Sequence, residues 1–387
     1  MLMVVSESFG KTRILIDVAR ELSLNLSYFA DSARLDSLME GKSRRFVLLA
    51  EEDLSNEVIT SLDMIEDKDK FGLIVWADPE ALRSSNRAEL IDRFADFENI
   101  EWLAQDYDVD SLSAAARKCR RRMLRLGKDE LEHAIIRREF FLQYQPKVER
   151  NSGTEWLTRE AEALIRWKHP EHGLLGPLEF LPEAEAFDLI GPISEFVLYE
   201  AASQLSKWRE QGLQLKSCIN LASSQLNNPD LPKSYESIVK KMGLKTRHFT
   251  FEITEQDLED SEATHLRVLK DLRERGFRIS LDDFRVAASS LGTFEELPFD
   301  EIKIHASALI RAQSNPVALK VLAAVTGLAH NLGVSVCAEG VEDQATFEFL
   351  KTIECDKMQG FLISEAVMPD IVRRVYSAKS NKVGNVA

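Results

Sequence analysis

The sequence predicts an α/β protein in two parts: a doubly wound (βα)5 domain over residues 1–124 and a (β/α)8 barrel over residues 125–380. Three observations predict this fold class. The chain has 387 residues, which is too long for one ordinary compact core. Its first part alternates apolar, strand-like runs with stretches of helical spacing. Its second part contains seven short apolar runs that each close on an acid, an amide or a lysine.

The first part contains five predicted strands, each followed by an amphipathic stretch. They are Leu2–Val5, Leu26–Phe29, Arg45–Ala50, Phe71–Trp76 and Ile100–Ala104. Five βα units of this size predict a parallel sheet with helices on both faces. After the last helix, Gly127 is a helix stop and Asp129 an N-cap, so the domain boundary falls between about residues 124 and 130.

The second part places polar residues where predicted strands give way to loops. The seven segments are Glu162–Arg166, Ile219–Leu221, Phe251–Glu255, Ser280–Phe284, Ile302–Ile304, Cys337–Glu342 and Met358–Phe361. In (β/α)8 barrels the reacting groups lie at the C-terminal ends of the strands. Residues far apart in the chain are therefore expected to converge in one site.

The overall charge disfavours two classes of partner, nucleic acids and anionic membranes. Lys plus Arg total 49 against 64 for Asp plus Glu, a formal charge of −15. This surplus disfavours loose binding to DNA or an anionic membrane. The one basic cluster, Arg117–Arg122, is interpreted as compensation of a helix dipole.

The cysteine pattern and the N-terminal sequence indicate a cytoplasmic protein. The four cysteines are far apart and form no CxxC motif, which favours reduced thiols. The N-terminus has no basic segment followed by a long apolar stretch, which a secretory signal peptide would show.

The acidic residues of the second part suggest a cation site. Glu162, Asn220, Glu252 and Asp282 offer oxygen ligands for one cation, and Asp283 is placed to reach a second. Oxygen donors suit Mg²⁺ or Mn²⁺. Two cations about 3.5–4 Å apart can hold the attacking and leaving oxygens of a phosphoryl displacement.

Three further residues would complete such chemistry. Lys303 can donate to a phosphate oxygen or to water, Glu339 can accept the proton of the water, and Arg166 can bind a second phosphate. Each acid alone is more simply a helix cap or a loop acid, and Glu255 in particular can cap the helix after it. The occurrence of one polar group at every strand end argues against that simpler interpretation.

These residues carry a family resemblance. The triplet Glu162-Ala163-Leu164, the segment Tyr144-Gln145-Pro146, Trp167-Lys168-His169-Pro170 and Phe180-Leu181-Pro182 stand in the order found in EAL domains. Residues from about 129 to 375 therefore resemble an EAL domain, the bacterial cyclic-di-GMP phosphodiesterase module. The resemblance implies a modified (β/α)8, or TIM, barrel with an irregular, partly antiparallel start.

The resemblance also implies an activity and a set of roles. Members hydrolyse cyclic-di-GMP to linear pGpG with Mg²⁺ or Mn²⁺, are commonly inhibited by Ca²⁺, and form homodimers. The implied metal ligands are Glu162, Asn220, Glu252, Asp282 and Asp283. The other implied roles are Lys303 for the catalytic water, Glu339 for the general base or its support, Glu342 and Gln359 for the polar floor, Gln145, Leu164 and Arg166 for the dinucleotide, and Glu255 for the loop that joins the site to the dimer interface.

The first part resembles the receiver domain of response regulators, but it lacks the receiver chemistry. Ala50 stands where the phosphoacceptor Asp is expected, and Gln105-Asp106 stands in place of Lys-Pro. We therefore interpret it as a pseudo-receiver that acts by contact with an unknown protein partner. A domain that only aids dimerisation is an equal alternative.

The chain departs from the EAL pattern at three places. The loop after Asp283 reads Phe284-Arg285-Val286-Ala287 and so lacks both family glycines, His305 replaces an Asp, and Ala366 replaces a Pro. A side chain at a position of positive φ costs about 1–2 kcal/mol, so the loop is expected to lose order. Three functions remain open: a slow or gated phosphodiesterase, a non-hydrolysing cyclic-di-GMP receptor, and an interaction protein that has lost the nucleotide.

Overall fold

The structure is a computed structural model. It describes residues 2–5, 26–29, 45–50, 71–76, 97–103, 109–151, 155–259, 263–284 and 299–377, together with Leu15, Val18 and Phe94. These residues form two compact units. The first comprises Met1–Glu130 with Leu178–Glu183, and the second comprises Leu131–Pro177 with Ala184–Ala387. The predicted boundary between about residues 124 and 130 lies beside this division.

The first unit contains a five-stranded parallel sheet. Its strands are β1 Leu2–Val5, β2 Leu26–Phe29, β3 Arg45–Ala50, β4 Phe71–Trp76 and β5 Ile100–Leu103. Their order in the sheet is β2-β1-β3-β4-β5, and every pair is parallel. This is the order of flavodoxin-like sheets. The receiver-like interpretation stays a prediction, because Gln105 and Asp106 lie outside the described residues.

The predicted basic cluster lies on helix α1, Val109–Leu124, beside strand β5. Lys118 Nζ lies 2.9 Å from Glu101 Oε2, and Arg122 Nη1 lies 2.9 Å from Glu101 Oε1. Cys119, on the same helix, is fully buried. At least two of the cluster's cations are thus paired within their own unit, which supports a structural interpretation of this segment.

The described residues of the second unit form nine strands, of which eight close into a barrel. The strands are β6 Phe140–Arg150, β7 Trp156–His169, β8 Gly173–Leu175, β9 Lys216–Asn220, β10 Phe249–Thr254, β11 Arg278–Phe284, β12 Glu301–Ile304, β13 Ser335–Ala338 and β14 Lys357–Met358. The barrel order is β6-β14-β13-β12-β11-β10-β9-β7, and β7 returns to β6. Strand β6 is antiparallel to both neighbours, which agrees with the partly antiparallel start implied by the family resemblance.

Helices connect most of the parallel strands. After α1 they are α2 Lys128–Ile136, α3 Pro177–Ala186, α4 Ile190–Glu210, α5 Leu231–Lys241, α6 Glu255–Glu259, α7 Ala263–Glu274, α8 Ala306–Ser314, α9 Pro316–Asn331, α10 Gln344–Thr352 and α11 Pro369–Ser377. Local sequence sets several of their starts. Asn315 accepts from the backbone of α9, and Asp343 accepts from Thr346 N of α10. In the described part of the chain, every helix is too short or too polar to cross a bilayer.

The strands β9 to β13 are nearly all buried and rich in apolar residues, because helices cover the outside of a parallel barrel. The interior, in contrast, contains charged side chains. Glu160, Lys147, Glu301 and Lys303 are each at most 1 % exposed. Buried charges persist only when they are paired, so the ion pairs of the interior position the site.

Candidate active site

Lys303 is the centre of a carboxylate cluster at the C-terminal end of the barrel. Its Nζ lies 3.0 Å from Oε2 of Glu252 and 3.0 Å from Oδ2 of Asp282. It also lies 2.7 Å from Oε1 of Glu339 and 3.7 Å from Oε2 of Glu162. Four carboxylates from four strands therefore surround one point, although they are far apart in the sequence.

The strand register explains this convergence. Glu252 pairs with Asn220 across β10 and β9, and Thr254 pairs with Asp282 across β10 and β11. The pairing shifts after Leu281, and Asp283 adopts a left-handed φ of 56°. This bulge directs two adjacent aspartates to different positions at the same strand end.

Two amides hold the carboxylate of Glu162. Asn220 Nδ2 donates to Oε1 of Glu162 over 2.9 Å, and Gln359 Nε2 donates to Oε2 over 2.9 Å. The same Gln359 nitrogen lies 2.8 Å from Oε1 of Gln145. Oε1 of Gln359 is buried and has no hydrogen-bond partner among the described residues. An oxygen acceptor at the floor of the site is thus still available to a ligand.

The electrostatic environment separates the carboxylates by acidity. Burial disfavours the charge of Glu162, but the ammonium groups of Lys303 and Lys147 outweigh it and lower the pKa of Glu162 to about 2. Burial and the Glu162 carboxylate raise the pKa of Glu252 to about 7. Burial also raises the pKa of Glu339 above its ordinary range. Glu339 is therefore suited to accept a proton near neutral pH.

The donor set fits hard divalent cations. Carboxylate oxygens of Asp282, Asp283 and Glu339 lie within 4.8 Å of one another. Glu162 and Glu252 both contact Lys303, which also contacts Asp282 and Glu339. These donors are oxygens only, which Mg²⁺ and Mn²⁺ prefer. The buried cluster carries more carboxylates than ammonium groups, so a bound cation would offset the remaining negative charge.

The residues expected to contact a ligand differ in their burial and in their contacts. Gln145 is half-buried and donates to the carbonyl of Ser364 over 3.1 Å. Arg166 is half-buried and donates through Nε to Gln143 over 2.9 Å. Leu164 is half-buried on the strand of Glu162. Glu342 is exposed, and no described contact joins it to the cluster.

Glu255 lies in the described part of the chain, but the loop that it is expected to hold does not. Thr254 caps helix α6: its Oγ1 donates to Asp257 Oδ2 over 2.7 Å and accepts from Asp257 N over 3.2 Å. Thr254 therefore stands just before helix α6, and Glu255 is the first residue of that helix. Residues 285–298, which include the altered loop, lie outside the described residues, so the contact between Glu255 and that loop stays a prediction.

His305, the second departure from the family pattern, caps a helix. Its Nδ1 accepts from Ser307 N over 3.2 Å at the start of α8. Its Nε2 lies 3.8 Å from Oδ1 of Asp283. The imidazole is therefore adjacent to the aspartate pair, and the described contacts do not join it to Lys303.

Sequence reasoning missed a layer of ion pairs below the site. Lys147 is fully buried and pairs with Oε1 of Glu252. Deeper in the barrel, Lys357 lies 2.7 Å from Oε2 of Glu160 and 2.6 Å from Oε2 of Glu301. One sequence signal was available: Lys147 and Gln145 are two positions apart on one strand, and alternate strand residues share a face.

Comparisons with known proteins agree with the geometry. The family model of the EAL domain matches residues 128–366. The chain is similar to the bifunctional diguanylate cyclase/cyclic di-GMP phosphodiesterase MucR of Pseudomonas aeruginosa, at 36% identity over 236 residues. That match covers 60% of this chain and 34% of MucR. A cyclic di-GMP phosphodiesterase of the same organism is 34% identical over 231 residues, which cover 60% of this chain and 39% of the relative.

A solved structure shares the barrel. The MucR phosphodiesterase in complex with c-di-GMP has a TM-score of 0.58 and 33% identity to this chain. The similarity covers 63% of this chain and 98% of that one. The chain spans about a third of the length of the curated relatives, since the matches cover 34% and 39% of them.

Proposed function

The chain belongs to the EAL domain family, and from that premise we propose that it hydrolyses one phosphodiester bond of cyclic-di-GMP and releases linear pGpG. The observation that carries this proposal is the convergence of Glu162, Glu252, Asp282 and Glu339 on Lys303. The similarity to two cyclic-di-GMP phosphodiesterases supports the choice of substrate.

The cation-binding residues in this proposal are those that the sequence indicated. Glu162, Asn220, Glu252 and Asp282 would hold Mg²⁺ or Mn²⁺, and Asp283 would serve a second ion. Bound there, such ions polarise the phosphoryl oxygens and lower the pKa of water. Ca²⁺ is expected to occupy the site without supporting turnover, because its larger shell and looser geometry position water less well.

The protein groups around the cation site then have separate tasks. Glu339 accepts the proton of the attacking water, which its raised pKa favours. Lys303 stays charged, because four surrounding carboxylates outweigh its burial and raise its pKa, and it donates to the water or to a phosphate oxygen. Gln359 orients Glu162 through a hydrogen bond.

The remaining residues bind and orient the dinucleotide. Gln145 and Leu164 line the approach to the cluster, and Arg166 supplies a guanidinium for the phosphate that is not cleaved. Glu342 joins Gln359 as part of the polar floor once the ligand is bound. Glu255 pins the loop that follows the paired aspartates.

Hydrolysis of cyclic-di-GMP by the full-length chain with Mn²⁺ or Mg²⁺ tests the proposal, with pGpG separated by chromatography. We infer a slow or gated rate, because Arg285 and Ala287 replace the two family glycines. The same replacement favours a second candidate function, a receptor that binds cyclic-di-GMP and signals through protein contact. Binding with Ca²⁺, without turnover in Mn²⁺, would select the receptor.

An exposed apolar stripe on helix α9 supports a homodimer. Val317, Val321, Leu328 and the adjacent Leu332 are exposed at spacings that share one helix face. A second copy of the chain would cover this stripe. Sedimentation of the protein and of Val321→Asp/Leu328→Asp tests this, since the double variant should sediment as a monomer.

The pseudo-receiver would act through contact with a protein partner, because Ala50 ends the strand where a phosphoacceptor is needed. We place the protein in the cytoplasm, where its four buried cysteines stay free thiols. The formal charge of −15 disfavours loose binding to DNA or to an anionic membrane.

A further inference from the structure

Lys147 is a buried charge that the proposed mechanism does not use. Its side chain lies in the barrel interior, and its residue exposure is 0%. Nζ of Lys147 contacts Oε1 of Glu252. The other carboxylate oxygen of Glu252, Oε2, lies 3.0 Å from Nζ of Lys303. Each oxygen of the Glu252 carboxylate therefore contacts a different lysine.

The two lysines differ in their surroundings. Lys303 also borders Glu162, Asp282 and Glu339, so it shares the space in which the carboxylates converge. The described ion pairs of Lys147 do not include those three carboxylates. Consequently Oε2 of Glu252 belongs to the cation-binding cluster, whereas Oε1 is held from the opposite side by Lys147.

We propose that Lys147 determines which divalent cation the site prefers, because it holds Oε1 of Glu252 and leaves only Oε2, the oxygen beside the other carboxylates, to bind the cation. This inference rests on the proposed function, because it takes Glu252 as a cation ligand. Ca²⁺ takes about 6–8 oxygens and frequently binds both oxygens of one carboxylate, whereas Mg²⁺ requires a compact octahedral shell. A carboxylate limited to one oxygen therefore favours the smaller ion and disfavours Ca²⁺.

The ratio of two affinities isolates this effect. Removal of Lys147 deletes one positive charge near the site, which strengthens the binding of every divalent cation to a similar extent. The ratio of the Ca²⁺ to the Mn²⁺ dissociation constant cancels that common change. It also cancels a general loss of stability, so a change in the ratio reports on coordination alone.

Lys357 provides a matched control. It is also a buried lysine of the barrel interior, at 2% exposure, and it also holds carboxylates. Its partners are Glu160, at 2.7 Å, and Glu301, at 2.6 Å. Neither of these carboxylates is in the cluster around Lys303, so Lys357→Met should destabilise the protein without changing the ratio.

Calorimetric titration of Mn²⁺ and of Ca²⁺ into Lys147→Met, Lys357→Met and the parent, without nucleotide, tests the proposal. Lys147→Met is expected to shift the ratio about tenfold toward Ca²⁺, the scale typical of groups that hold a metal ligand. An unchanged ratio in Lys147→Met, or an equal shift in Lys357→Met, would overturn the proposal. So would a parent protein that binds neither cation.

If Lys147→Met does not fold, crystal structures of the parent with bound cations test the proposal instead. In crystals of the parent with Mn²⁺ and with Ca²⁺, Glu252 should bind each ion through Oε2 alone while Oε1 stays on Lys147. An ion held by both oxygens would contradict it. If Lys147→Met shows the ratio shift but the parent does not cleave cyclic-di-GMP, the proposed function is refuted and the role of Lys147 in cation preference still stands.

Discussion

Nζ of Lys303 and Oε1 of Glu339 lie 2.7 Å apart at the ends of the neighbouring strands β12 and β13. Glu339 is the residue that we propose as the proton acceptor. Lys303 is the residue that we propose as the donor to the water or to a phosphate oxygen. Because Lys303 also contacts Glu252 and Asp282, a change at either end of the pair is transmitted to the cation ligands.

Replacement of Lys303 by Met should lower kcat by about 10²-fold or more, because a preorganised donor in the reacting site is lost. The variant should also lose thermal stability without a cation, since several buried carboxylates lose their partner. Turnover assays and thermal unfolding by circular dichroism measure the two effects. Added Mn²⁺ should recover most of the stability but not the rate; recovery of both would contradict the role of Lys303.

Cation binding should strengthen as the pH rises from about 6 to 8, since bound ligands must be deprotonated. Glu252 controls this window, because burial and the Glu162 carboxylate raise its pKa from 4.5 to about 7. Calorimetry of Mn²⁺ binding in two buffers of different ionisation heat should detect proton release below that pKa. An affinity that is constant over this range would contradict the assignment of Glu252 as a ligand.

The same shift predicts the pH dependence of folding without a cation. The unfolded state ionises Glu252 near pH 4.5, while the folded state keeps the proton until about pH 7. The contribution of Glu252 to the unfolding free energy therefore falls as the pH rises through this window. Glu162 has the opposite sign: its lowered pKa, about 2, adds stability above pH 4.5 that is lost on acidification.

Gly340, the residue after Glu339, should not tolerate a side chain. Its φ is +67°, and a Cβ at this position would lie 2.5 Å from the Cβ of Ala306. Gly340→Ala should lower the melting temperature and the Mn²⁺ affinity, with a left-handed cost of about 1–2 kcal/mol in addition to the clash. Ala306→Gly in the same chain should restore part of the loss; a single variant as stable as the parent would refute the argument.

Glycines restored at positions 285 and 287 should raise turnover if the order of the loop limits the rate. Arg285→Gly and Ala287→Gly together return the two family glycines, and glycine adopts positive φ without the steric cost of a side chain. The measurement is kcat with Mn²⁺ for the double variant against the parent. The opposite result, an unchanged kcat, would place the limit elsewhere, for example in Glu255 or the dimer.

Much of the fold was predictable from local patterns. The barrel strands follow apolar runs, and polar residues at their ends mark the site edge of a parallel barrel. The antiparallel start was implied only by the family resemblance, because the apolar pattern of Phe140–Arg150 does not reveal strand direction. The five predicted strands of the first unit match the described ones closely, but strands alone do not identify a receiver domain.

The candidate site was predicted less completely. The structure brings the carboxylates of Glu162, Glu252, Asp282 and Glu339 close to Lys303, and the roles of these residues stay predictions. The pairing of Lys147 with Glu252 was not foreseen, because it depends on how deep each side chain lies in the barrel. Sequence spacing indicates which face a residue occupies, but it does not indicate which of several buried acids a lysine will contact.

The most direct test of the account is the conversion of cyclic-di-GMP to pGpG by the parent chain and by Glu162→Ala, at equal protein concentration with Mn²⁺. We expect product from the parent, at a low rate, and none from Glu162→Ala, because that variant removes the carboxylate held by Asn220 and Gln359. Product formation by Glu162→Ala at the parent rate would contradict it.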